Sequence, residues 1–143
     1  MATPDCHLLD DGQGLMQVVF AAPDKWITAN QRLTHWAHAH RVRTWRTATA
    51  TYARHLHLPH LQRARIHVLC RIAGPRRNRD RANWHPTVKP IIDGLVDHGL
   101  LPNDDDTHLD GPYIALDQVT RYGPKHGAAG QVVVTITDLG GAP

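Results

Sequence analysis

RIHVLCRI, residues 65–72, alternates strictly, with Ile66, Val68, Cys70 and Ile72 on one side and Arg65, His67, Leu69 and Arg71 on the other. Successive side chains of a strand point to opposite faces, so this segment reads as a half-buried strand. In PTVKPIIDGLVDH, residues 86–98, the period changes. Val88, Ile91, Ile92, Leu95 and Val96 recur at three-and-four spacing, which lines one side of a helix. Pro86 suits the first turn of that helix, and Pro90 lies close enough to its start that the missing donor costs little. Gly99 is placed to cap its end.

Upstream, residues 33–56 contain neither Gly nor Pro, and Trp45, Ala48, Thr49, Tyr52, Ala53 and Leu56 repeat with helical spacing, which predicts a long helix. Residues 15–21 form a short apolar run between Gly14 and Pro23 and predict a strand. Residues 1–14 are polar and acidic without periodicity, and read as a frayed, disordered tail ahead of a domain spanning 15–143. Downstream, 113–122 and 131–138 read as two strands joined by a hairpin loop at 123–130, which lacks the glycine spacing of a phosphate-binding loop. The order β, α, β, α, β, β predicts a single α+β domain with a small mixed sheet packed against two main helices.

The chain has 143 residues, a length that supports one core unaided. No run approaches the eighteen or so apolar residues of a membrane span, and Asp5, Asp10 and Asp11 break any secretory signal pattern, so a cytoplasmic protein is expected. Cys6 and Cys70 form neither a disulfide framework nor a zinc pattern. Sixteen Lys and Arg against thirteen Asp and Glu give a net charge of +3. Protonating the twelve histidines would strengthen that charge and, with it, polyanion binding in mild acid.

Gly74 to Trp84 is densely charged and reads as an exposed loop, where Arg76, Arg77, Asn78 and Arg79 precede Asp80 and Asn83. A carboxylate among guanidinium groups stays ionised at neutral pH, although Asp80 equally suits a helix N-cap or a surface ion pair. Lys89 and Asp93 lie four apart on one edge of the second helix and suit either a surface pair or a site. Asp104, Asp105 and Asp106 are three adjacent like charges, which are either solvated in a turn or gathered on a hard cation such as Mg²⁺ or Mn²⁺. His35, His38 and His40 lie within one stretch of the long helix, and the first two could share a face, but no carboxylate or cysteine accompanies them at zinc-ligand spacing. Arg32, Arg41, Arg43, Arg46 and Arg54, interleaved with Trp36 and Trp45, compose either a solvated helix face or a phosphate-contacting one.

Together, the run from Arg76 to Asp106, with Asp80, Asn83, Lys89, Ile92-Asp93-Gly94-Leu95, Gly99 and the acidic cluster, closely resembles the RusA family of Holliday-junction resolvases. The likeness is looser from Trp26 to Asp138, where Ala29-Asn30-Gln31-Arg32, His35 and the final Thr135-Ile136-Thr137-Asp138 are similar to family segments. The resemblance implies a homodimer that binds a four-way DNA junction and makes paired incisions with Mg²⁺, or Mn²⁺ in its place. On the family pattern Asp80 and Asp104 match catalytic aspartates and Lys89 the catalytic lysine. The metal would be held by Asp80 and Asp104, with Asp93, Asp105 or the Asn83 carbonyl completing the site. Arg32, Arg43, Arg46, Arg76, Arg77, Arg79 and Asn83 would contact DNA. The sequence departs from the pattern at Ala82, where the family carries a second aspartate, and by three extra residues between Asn83 and Lys89. Competing readings are a flap or other branched-DNA nuclease on the same scaffold, a catalytically impaired junction-binding relative, and a small basic interaction protein.

Overall fold

The alternation at 65–72 carries into the computed structural model, which describes residues 5–74, 78–119 and 129–140. Strand β3 (Ala64–Ala73) turns Ile66, Val68, Cys70 and Ile72 inward, all at 5% exposure or less. The remaining elements are β1 (Cys6–Asp10), β2 (Leu15–Ala21), α1 (His35–His55), α2 (His85–His98), β4 (Leu109–Val119) and β5 (Gly130–Asp138). A single 3-10 turn, Arg81–Trp84, leads into α2. The five strands form one sheet in the order β1-β2-β5-β3-β4, with β3 and β4 parallel and the other neighbours antiparallel. Parallel neighbours need a crossover, which α2 supplies. This is the α+β domain with a mixed sheet and two helices that the element order predicts.

The inward side of the sheet is set by register. Met16, Ile136 and Ile66 lie in one row, Val18, Val134 and Val68 in the next, and Phe20, Val132 and Cys70 in the third. These side chains join Trp45 and Ala53 of α1 and Val88, Ile91, Ile92 and Leu95 of α2 in one core, so both helices cover the same face. Each fully buried aliphatic side chain there stabilises the fold by roughly 1.5–3 kcal/mol. The two helices meet at Gly94, where an added Cβ would stand 2.5 Å from the Arg46 carbonyl oxygen and 2.8 Å from Thr49 Cβ. Gly99 ends α2 in the left-handed region at φ 98°, the capping role its position predicts. Among the described residues no helix is long and apolar enough to cross a membrane.

Three expectations need correction. Residues 6–10 are not part of a frayed tail: they pair along β2 from Cys6 opposite Phe20 to Asp10 opposite Met16. The acids that suggested disorder build the turn between these strands. Asp10 Oδ1 accepts from Gly12 N, and Asp11 Oδ1 accepts from the backbone N–H groups of Gln13 and Leu15. The two C-terminal strands are not hairpin partners either, because β3 lies between β5 and β4. Val132, Val134 and Ile136 of β5 are at 0% exposure, as suits the middle of a sheet, whereas Ile114 and Leu116 of β4 are partly buried at its edge. Finally, β4 begins at Leu109, ahead of the expected Tyr113, through a register shift where β3 passes from Arg65 to His67. The loop residues 123–128 lie outside the described residues.

Candidate functional site

Two groups of polar side chains flank the start of α2. The first centres on Asp80, whose Oδ1 accepts from Ala82 N at 3.0 Å and so caps the 3-10 turn, the structural role open to it from sequence. That turn is docked to the segment before α1. Ala29 N donates to the Asn83 carbonyl, and the hydroxyl of fully buried Thr87 donates to the Ile27 carbonyl while accepting from Ile27 N at 2.8 Å. The result is a pocket of about 320 Å³ lined by Thr28, Asn30, Asn78, Arg79, Asp80, Asn83 and Trp84. Trp84 is 9% exposed, and its indole N–H is buried without a hydrogen-bond partner among the described residues. Arg79 donates to Gln118 Oε1 on β4 at 3.1 Å.

The second group is an ion cluster. One turn into α2, Lys89 Nζ lies 3.0 Å from Asp93 Oδ1 and 2.5 Å from Asp104 Oδ2. Asp93 also lies 3.9 Å from Arg46 of α1, whose guanidinium holds Asp97 through two bonds of 2.7 and 2.8 Å. The hydrogen bond from Lys89 holds the Asp104 carboxyl below its ordinary range, and hydrogen bonds to Asp104 and then Asp93 raise Lys89. The hydrogen bond from Arg46 lowers Asp97 in the same way. The turn that delivers Asp104 is braced by its neighbours. Asp105 Oδ1 accepts from Thr107 N and His108 N, and the His108 ring is hydrogen-bonded to the Gln62 carbonyl.

The structure therefore brings Lys89, Asp93 and Asp104 into contact, and gathers Asp80 and Asn83 in a separate pocket ahead of α2. Asp105 serves its own turn, while Asp106 is exposed. Among the described residues no three His, Cys, Asp or Glu side chains converge as a metal cage, His35, His38 and His40 included. Among the residues assigned to DNA contact, Arg32 and Arg43 are exposed, Arg46 is tied to Asp97, and Arg76 and Arg77 lie outside the described residues. Cys70 is fully buried, and burial pushes its thiol up to about 12.

Three features escaped the sequence reading. Thr87 joins the 26–31 segment to α2 and has no signature in the sequence, because its partner is backbone sixty residues away. Asp97 engages Arg46 across two helices, which helix spacing alone does not reveal. The third was open to inspection: no Asp or Glu occurs between Asp24 and Asp80, a stretch that holds Lys25 and eleven arginines. No protein-family model matches the chain, and no curated protein matches it either.

Proposed function

We infer that the chain is a Mg²⁺-dependent, structure-specific endodeoxyribonuclease of the RusA type, acting as a homodimer on four-way junctions and other branched DNA. The observation that carries this reading is the Lys89–Asp104 contact. These two residues belong to the motif that resembles the family, stand fifteen apart in sequence, and meet directly on the surface. Asp80, the third residue of that motif, caps the turn that leads into the same helix and lines a pocket with Asn83.

Phosphodiester hydrolysis needs an activated water and charge neutralisation on the non-bridging oxygens, and a divalent ion supplies both when bound. The donor set suits Mg²⁺, which is commonly held by one or two carboxylates together with substrate phosphate and water rather than by an all-protein cage. Asp80 and Asp104 would be those carboxylates. Asp80 has one oxygen without a partner among the described residues. Lys89, half exposed, is poised to leave Asp93 and meet charge developing on the phosphate. Asp93 would keep the ammonium aimed at Asp104 when no DNA is present.

A second reading is supported by Ala82, which stands where the resembling family carries an aspartate: a relative that binds junctions without cutting them. Incubation with a synthetic four-way junction, with and without Mg²⁺ and resolved strand by strand, separates the two. Paired Mg²⁺-dependent incisions are expected, and binding without incision would favour the second reading. Asp104→Asn should reduce cleavage by about a hundredfold or more while leaving metal-free binding equal or tighter, because a negative charge near phosphate is removed. Asp110→Asn is the control, since Asp110 pairs with Arg65 and Tyr113 rather than with the cluster. Equal loss in both folded variants would overturn the assignment.

A further inference from the structure

Trp36 is 83% exposed, whereas Trp26, Trp45 and Trp84 are at 9% or less. Its ring lies at 72° to that of His35, with centroids 6.3 Å apart, and most of the indole surface is open to solvent. Trp36 heads a stripe on α1 that continues through His40, Arg43 and Thr47 at four- and three-residue steps, all exposed. A shallow groove of about 400 Å³ runs beside the stripe, between His40, Arg43, Thr44, Thr47 and Ala48. Arg43, and Arg32 just before the helix, have no carboxylate partner among the described residues.

Among the described residues no acid forms an ion pair with these cations. α1 contains neither Asp nor Glu, and the two acids that reach it from α2, Asp93 and Asp97, are both engaged by Arg46. The surface thus combines an open aromatic face with fixed positive charge. An acidic peptide would use the charge and leave the indole idle. Double-stranded DNA would meet the arginines with its phosphates but keeps its base faces stacked inside. An unpaired nucleotide supplies both a phosphate and a free base face, and stacking on an aromatic ring is tolerant of base identity.

We propose that the outward stripe of α1 binds single-stranded DNA, with the Trp36 indole stacked on an unpaired base and Arg43 on the adjoining phosphate. The stripe includes none of Asp80, Lys89, Asp93 and Asp104, so it would bind even in a protein that does not cut.

Because Trp36 is the solvent-open tryptophan, emission quenching reports on it directly. A short oligothymidylate should quench the native protein strongly, inorganic polyphosphate of similar charge should bind without comparable quenching, and a blunt duplex should fall between. Trp36→Leu, which keeps an apolar side chain on an exposed position, should bind the oligonucleotide roughly tenfold more weakly while binding polyphosphate as before. Trp36→Phe should recover part of the loss. Arg43→Gln should weaken both ligands and reduce the salt slope for the oligonucleotide by about 0.7. Equal quenching by oligonucleotide and polyphosphate would overturn the proposal, as would a Trp36→Leu protein that binds oligothymidylate like the native one. Junction cleavage by the native protein in either case bears only on the nuclease reading.

Discussion

Lys89 holds two carboxylates with one ammonium, and the two pKa shifts that follow act on stability at opposite ends of the pH scale. Asp104 is depressed below its ordinary 3.8, chiefly by the Lys89 hydrogen bond, so its share of stability is present above pH 3.8 and lost as pH falls through the lower folded value. Lys89 is raised above 10.5, chiefly by Asp104, so its share is present below pH 10.5 and lost as pH rises through the higher folded value. Between those limits the pair is intact. Its side chains are 49% and 32% exposed, so solvent screening keeps the contribution on the plateau small. In urea titrations over a pH series, Asp104→Asn should soften the loss of stability below pH 3.8 and leave the neutral midpoint almost unchanged. An acid limb identical to the native one would show that the ion pair carries none of it. The Lys89–Asp93 half of this arrangement was readable from a spacing of four along a helix. The Asp104 half was not, because it depends on a turn whose path is set by Asp105 and His108 bonding to the backbone.

At the level of the elements, the position of the candidate site depends on two contacts that hold α2. Thr87 ties the first turn of α2 to Ile27, and Gly94 lets α1 approach its middle closely. Thr87→Val keeps the shape but leaves the buried Ile27 N–H and carbonyl unmet, at a cost of about 1–3 kcal/mol. Gly94→Ala forces a methyl group against the Arg46 carbonyl and costs about 1–3 kcal/mol through displacement of α1. Both should appear as lowered urea midpoints, and the Gly94 variant should also disturb the Arg46–Asp97 pair that spans the helices. A Thr87→Val midpoint equal to the native one would show that water replaces the lost bonds. Both helices were legible because each carries its own periodicity, to which α2 adds Pro86 and Gly99 at its ends. β1 was not, since five residues, CHLLD, show too little alternation to declare a strand and take their order from β2. The strand order was hidden for a related reason: neighbours in sequence suggest neighbours in space, and nothing local records that β5 inserts between β2 and β3.

For the whole molecule, charge is segregated along the chain, with its acids confined to residues 5–24 and 80–138. The reading as a junction nuclease needs two such molecules, because a junction and a symmetric dimer share a dyad and one site would only nick. Light scattering should therefore give twice the 16.0 kDa chain mass at micromolar concentration, and a monomer that persists with junction bound would remove the paired-cut mechanism. The central place of β5 has a further consequence, which concerns timing. While the ribosome is still making residues 1–129, the sheet exists at most as two unjoined halves, the β1–β2 hairpin and the β3–α2–β4 crossover, each with a bare edge where β5 will lie. Neither half can complete the core without β5, so folding waits for that strand to emerge, and a chain interrupted before it carries two templates for unwanted pairing. A protein ending at residue 129 should aggregate. A synthetic peptide of residues 129–140 added during refolding should rescue it, giving a two-piece molecule whose native circular dichroism returns in proportion to peptide. Failure of excess peptide to restore any structure would mean that the two halves need the covalent link to find their common strand.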